Sequence, residues 1–281
     1  MAVSPITNVS DTARWVAVYR AWESARSDAL FRDPYAQRLA GPRGEEIARL
    51  MPRQARSGWP LIARTRLIDD RVAEAIRDGC DCVVNLAAGL DARPYRLELP
   101  SALRWVEVDL AALSDEKERL LADARPRCRL VRIKADLTDD RARASALVEA
   151  LGSARRALAI SEGLLVYLAD VQVRALSADL LAQPALYSWV LDLAAPELLR
   201  MMNRTMGPHL ANAPMRFAPA DGVAFFEALG WRVEQAEPLL QAAARFGRVP
   251  WFLRLFAKFP PPDPRRLGNA RWSAVVTLLR A

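Results

Sequence analysis

From Asp81 onward the chain alternates short apolar runs with longer stretches whose apolar residues recur every three or four positions. The short runs predict strands over 82–86, 104–108, 129–135, 157–161 and 186–191, since each is too brief for a stable helix and is bounded by turn residues. Helical patterns over 113–123 and 140–151 separate them. Asp170 opens another helix, because its carboxylate can accept from the free amides of a first turn. Nearer the end, 222–229 predicts a helix closed by Gly230, 231–235 a strand, and 272–279 a last strand rich in Val and Leu. Strands alternating with helices predict an α/β fold, a mostly parallel sheet with helices on both faces.

Three stretches lie outside that minimal pattern. Residues 1–79 form a helical extension in which Trp15, Tyr19, Trp22, Phe31 and Tyr35 supply too much aromatic surface for a loose tail, which predicts a lid folded over the sheet. Residues 195–217 gather Leu198, Leu199, Met201, Met202, Met206, Leu210 and Met215, and read equally as a pocket wall or as ordinary core. Residues 245–266, within an insertion at about 240–268, mix Trp251, Phe252, Phe256 and Phe259 with Arg and Lys. Such a mixture serves either a membrane-surface or partner helix or, as expected here, an amphipathic connection packed on its own domain.

No Gly/Ser tract, acidic block or internal repeat divides the 281 residues, so residues 1–281 are expected to form a single domain, with 80–281 as its core. The net charge of +7 raises the question of an anionic partner. Its surplus is Arg scattered among Asp and Glu rather than a basic stripe, which argues against nucleic acid. The opening Met-Ala-Val-Ser-Pro lacks the pattern of a secretory leader and no apolar run reaches membrane-span length, so a cytoplasmic protein without a membrane span is expected. Cys80, Cys82 and Cys128 cannot all pair, and no His lies near enough to complete a zinc set. They read as small buried hydrophobes in a reducing compartment, with no metal site.

The chemistry gathers at predicted strand ends. The first strand runs into Ala87-Ala88-Gly89-Leu90-Asp91-Ala92-Arg93, a loop of small side chains against which a ligand can lie close to the backbone. The second strand ends at Asp109, about 20 residues beyond Gly89, a spacing that lets an acid meet ribose hydroxyls beside a small-residue turn. Asp136 follows the third strand and Glu162 the fourth. A loop and three acids in register along one rim suit an extended nucleoside.

These segments, together with Asp33-Pro34-Tyr35 and the block from Ser161 to Leu168, resemble the leucine carboxyl methyltransferase family, in particular its bacterial branch of O-methyltransferases for small molecules. The likeness covers about the first two thirds of the chain. It implies a class I methyltransferase, Rossmann-like fold with a mostly parallel seven-stranded sheet, and S-adenosylmethionine as cofactor. It further implies that Ala87, Ala88 and Gly89 line the methionine portion, that Asp109, with Leu110 beside it, binds the ribose, and that Asp136 with Leu137 holds the adenine. Glu162 would face the methionine ammonium. Arg64 would pair with the methionine carboxylate, as a planar guanidinium suits, with Arg66 as its competitor. Where the family often has Gly and Thr, this chain has Ala87 and Ala92. The methyl group of Ala87 is expected to be tolerated on a backbone of negative φ.

The resemblance implies transfer of a methyl group to a carboxylate or hydroxyl of a small-molecule acceptor. A carboxylate is already a nucleophile at neutral pH, whereas a hydroxyl gains from a base, for which the single histidine, His209, is the tentative candidate. Two rivals remain. A nicotinamide-dependent oxidoreductase would also use Asp109, but the Gly-x-Gly-x-x-Gly turn and a Tyr-x-x-x-Lys pair are missing. A non-catalytic protein that binds the same nucleoside would keep the fold without the reaction. The oligomeric state stays open.

Overall fold

The computed structural model describes residues 6–52, 55–152 and 154–281; the leader reading of residues 1–5 lies outside them. Three helices come first, α1 (Val9–Ser24), α2 (Ala36–Leu50) and α3 (Trp59–Arg77). The sheet region follows as β1 (Cys82–Leu86), α4 (Arg93–Arg96), β2 (Arg104–Asp109), α5 (Ala111–Leu120), β3 (Arg129–Lys134), α6 (Asp140–Leu151), β4 (Ala157–Ser161), α7 (Asp170–Leu181) and β5 (Leu186–Ala194). It finishes with α8 (Pro196–Met206), α9 (Ala224–Glu227), β6 (Trp231–Pro238), α10 (Leu239–Arg245) and β7 (Ser273–Arg280).

Seven strands form one sheet in the order β3-β2-β1-β4-β5-β7-β6. β1 to β5 are parallel neighbours, and β7 enters antiparallel between β5 and β6. β1 is buried along its whole length, which is why it reads as an apolar run broken only by Asn85. Its side chains alternate between two cores. Cys82, Val84 and Leu86 meet Leu147 of α6, Leu176 of α7 and Phe226 of α9 on one face. Val83 joins Trp105, Leu158 and Ile160 against Leu67 and Val72 of α3 and Ala242 of α10 on the other. Helices cover both faces, as the alternation of elements predicts.

The helical extension therefore splits in two. α3 is a layer of the sheet, while α1 and α2 build a third core with the loop after β1 and the segment after β5, through Trp15, Tyr19, Leu39, Leu90, Leu199 and Met215. The chain turns between these parts at Gly58, whose φ of 58° and close approach to the Tyr19 ring leave no place for a Cβ.

Three local expectations change. β5 runs to Ala194 rather than ending at residue 191, because its outer residues pair with Ala274 and Ser273 of the distant β7. Ala169, not Asp170, caps α7: Gln172 accepts from the Ala169 amide at 2.8 Å, and Asp170 pairs instead with Arg174 at 2.8 Å. The helix expected over 222–229 shrinks to α9, since Gly222 has φ 56° and lies against the Pro264 carbonyl in a turn. The three cysteines are free and buried, and burial pushes the thiol of Cys82 up to about 12 and that of Cys128 to about 11. Among the described residues no helix is long and apolar enough to cross a membrane.

Candidate functional site

The carboxyl ends of β1 to β5 open into one cavity of about 1180 Å³, roofed by α1 and α8. Ala87, Ala88 and Gly89 line it from the loop after β1, Asp109 and Leu110 from the end of β2, Asp136 and Leu137 from beyond β3, and Glu162 from beyond β4. Arg64 reaches it from α3. Nine residues scattered over almost a hundred positions of sequence thus share one wall, because parallel strands place all their carboxyl ends on one side of the sheet.

The loop after β1 is held by its neighbour. Asp109 accepts from the Gly89 amide at 2.5 Å and from the Leu110 amide at 2.7 Å, so its two oxygens fasten the loop to the end of β2. Burial pushes the Asp109 carboxyl above its ordinary value, against the opposing pull of these two amides. Gly89 has φ 51°, and a Cβ there would lie 3.3 Å from that of Ala13 in α1. Ala87 corrects an expectation: its φ is +53°, and it is the one non-glycine residue of the described chain in the left-handed region. An L-alanine there costs about 1–2 kcal/mol, strain that such loops carry at functional sites.

Behind the loop lies a buried ionic network that no spacing in the sequence announces. Arg93, 1 % exposed, donates from Nε to Asp69 at 2.6 Å and from Nη1 to Asp91 at 2.9 Å and Glu162 at 2.7 Å. Arg64 donates from Nε to the other oxygen of Glu162 at 3.0 Å and from Nη1 to Asp192 at 2.8 Å. Arg96 completes the set with two bonds of 2.7 Å to Asp69. Three guanidiniums meet four carboxylates, and the adjoining pair of Arg20 and Asp33 is neutral, so the network holds one negative charge in excess.

Burial alone would raise the carboxyls of Glu162 and Asp91. The guanidinium of Arg93, joined by Arg64 at Glu162, holds both below the usual range. Burial likewise opposes the Arg64 charge, but Asp192 and Glu162 outweigh it and keep its pKa high.

The structure separates the two candidate arginines. Arg66 does not line the cavity; it donates to Asp70 and to the Leu30 carbonyl. Asp136 closes a turn by accepting from the amide and hydroxyl of Thr138 at 2.8 and 2.7 Å, while Asp139 caps α6, leaving Asp136 on the cavity rim with Leu137 buried beside it. His209 sits on a short turn after α8 and does not line the cavity.

The far wall is apolar. Leu198, Met201, Met202 and Met206 of α8 face the cavity, as do Met215 and Phe217, whereas Leu199 and Leu210 pack in the core. The insertion at 195–217 is therefore both wall and core, one helix with two faces. Tyr167 stands on the same wall, its phenol pushed up by burial against a hydrogen bond with Thr12.

Comparison with known proteins gives this arrangement its class. The profile of the leucine carboxyl methyltransferase family matches residues 13–180, and the chain belongs to that family. Its relatives include a protein of Streptomyces avermitilis, 34 % identical over 251 residues, covering 84 % of this chain and 87 % of that one. A protein of Frankia alni is 32 % identical over 250 residues, with coverage of 84 % and 87 %. Both are provisionally named S-adenosyl-L-methionine-dependent methyltransferases. Among solved structures, a DUF574-family protein of Streptomyces avermitilis superposes with a TM-score of 0.60 at 15 % identity, over 96 % of this chain and 97 % of that one, a likeness of fold.

Proposed function

We propose that the protein transfers a methyl group from S-adenosylmethionine to a carboxylate oxygen of an apolar small molecule. Family membership makes it a methyltransferase, and S-adenosylmethionine is its methyl donor. The acceptor is our reading. The observation that carries it is the division of the cavity, with paired acids and arginines at the strand ends and an apolar, methionine-rich wall facing them.

The residues at the strand ends fit the donor. Its sulfonium and ammonium against one carboxylate leave one positive charge, which matches the single excess negative charge of the buried network. Asp109 would accept from the ribose hydroxyls through lone pairs not used by the Gly89 and Leu110 amides. Asp136 and Leu137 would hold the adenine, and Ala87 to Gly89 would let the methionine portion lie against backbone. Among the described residues Arg64 Nη2 has no hydrogen bond and lies beside Gly163, and so suits the methionine carboxylate. Glu162, tied to Arg64 and Arg93, would meet the ammonium. When bound, the donor supplies an electrophilic methyl group on sulfur.

What the chain must add is alignment and dryness. A carboxylate acceptor arrives ionised and needs no proton removed. The rim acids are engaged by arginines or amides and no histidine lines the cavity, which favours such an acceptor over a hydroxyl. The apolar wall excludes water while charge is neutralised between acceptor and donor.

Calorimetry tests the donor site. S-adenosylmethionine and S-adenosylhomocysteine are expected to bind saturably and NAD not at all; Asp109→Ala, if folded, loses the binding. Tight NAD binding without a response to the sulfonium would overturn the reading. Labelled methyl transfer to a panel of carboxylic acids and phenols tests the acceptor. An alkali-labile product is expected, and an alkali-stable ether or binding without transfer would count against the proposal.

A further inference from the structure

The insertion after α10 carries a surface that the methyl-donor site does not explain. Trp251, Phe252, Leu255, Phe256 and Phe259 are each more than half exposed, Trp251 at 80 %. Single exposed apolar residues are ordinary, but five within nine positions mark a contact surface. The sequence favours a connection packed on its own domain; the structure instead turns these rings outward, with Trp251 and Phe252 meeting edge to face at 6.0 Å.

The segment is anchored at its base. Val249 is buried, and Arg248 binds Glu23 of α1 at 2.8 Å and Asp28 at 3.2 Å. Gln241 of α10 donates to the Phe259 carbonyl. Two short turns, Trp251–Leu253 and Phe256–Lys258, then present the rings.

Charge identifies what covers them. From Pro238 to Pro262 the sequence has no acidic residue. Arg254 and Lys258, both exposed among the rings, make no ion pair within the described residues, although Arg245 and Arg248 in the same stretch are both paired. Aromatic and aliphatic tips flanked by unpaired cations match the interface of an anionic bilayer, where rings sit below the phosphates and cations among them. The patch is also continuous with the cavity, since Phe252 and Phe256 line it from the same segment.

We propose that this surface docks on the headgroup region of an anionic phospholipid bilayer and sets the mouth of the cavity at the depth of the acyl chains. A lipophilic carboxylate would then reach the apolar wall without crossing water, a consequence that rests on the acceptor reading above.

Flotation with lipid vesicles tests the docking. The full chain is expected to float with vesicles of phosphatidylcholine mixed with phosphatidylglycerol, and weakly or not at all with phosphatidylcholine alone. Added salt should weaken the binding, since two exposed cations contribute to it. Trp251→Ser, Leu255→Ser and Phe259→Ser together, none of which lines the cavity, should leave the protein in solution with its affinity for S-adenosylmethionine unchanged. Arg254→Glu with Lys258→Glu should weaken binding to the anionic vesicles about tenfold or more. No flotation of the native protein would overturn the proposal, as would equal flotation of the triple variant. Sedimentation velocity that shows the native chain to self-associate, and the triple variant not to, would assign the surface to a second copy instead. Failure of the donor reading shows separately, as absent cofactor binding in a protein that still floats.

Discussion

At the strand ends this protein buries charge, and at the outer edge of the same cavity it exposes apolar rings. Both regions invert the usual placement of residues, and they do so differently. Arg93 is buried, but each carboxylate around it meets a cation: Asp69, Asp91 and Glu162 take its donors, and Arg64 and Arg96 bind Glu162 and Asp69 as well, although Arg96 Nε makes no hydrogen bond among the described residues. Trp251, Leu255 and Phe259 lie in solvent with little of the protein against them. An inverted region whose charges are paired internally organises its own site, and one whose apolar surface has no inner partner implies something outside the chain.

The largest effect expected from breaking this contrast is at Arg93. Arg93→Met leaves the buried Asp91 without its cation and takes one of two cations from Asp69 and from Glu162, and should cost about 3–5 kcal/mol in urea denaturation. Arg66→Met, which removes a half-exposed pair with Asp70, should cost about 0–1 kcal/mol. Equal losses would show that the inner network does not support the rim.

Acid should act on the inner region next. Arg93 and its neighbours hold Glu162 and Asp91 below their ordinary values of 4.5 and 3.8. The folded state therefore binds fewer protons than the unfolded chain, so their contribution is full above those values and is lost as pH falls through the lower, folded ones. Asp109, raised by burial, works in the opposite sense. Denaturation midpoints measured from neutral pH down to below 4.5 should fall, and a flat profile would refute the role given to Arg93.

Relieving the strained loop has a smaller effect of opposite sign. Ala87→Gly removes about 1–2 kcal/mol of left-handed strain and adds about 0.5–1 kcal/mol of unfolded-chain entropy, for a net gain of about 0–1.5 kcal/mol. A loss of stability on that substitution would mean that the Ala87 methyl group packs more usefully than its backbone suffers. The smallest effect belongs to the outer region: the triple serine variant of Trp251, Leu255 and Phe259 should change stability by less than about 0.5 kcal/mol in the same assay.

The rim acids and the small-residue loop were legible because they sit at the ends of apolar runs, where strand geometry fixes the direction they face. Asp192 carried the same signal, directly after the run over 186–191, and was passed over; pairing with β7 carries β5 past it to Ala194. Arg93, Asp69 and Asp91 had no such signal, since an arginine in a helical turn and two aspartates read alike whether solvated or buried. Only the packing of α3 on the sheet decided that Arg64 lines the cavity and Arg66 does not.

By itself the sequence determined the order of elements, the sheet with helices on both faces, the family and nine residues that line one cavity, because apolar periodicity and strand-end position are local properties of a chain. Only the tertiary structure decided which charges neutralise one another, that Ala87 holds a left-handed backbone, that His209 stays outside the cavity and that the rings after α10 face solvent. Burial, pairing and exposure are relations between residues distant in sequence, and they exist only once the strands have chosen their neighbours.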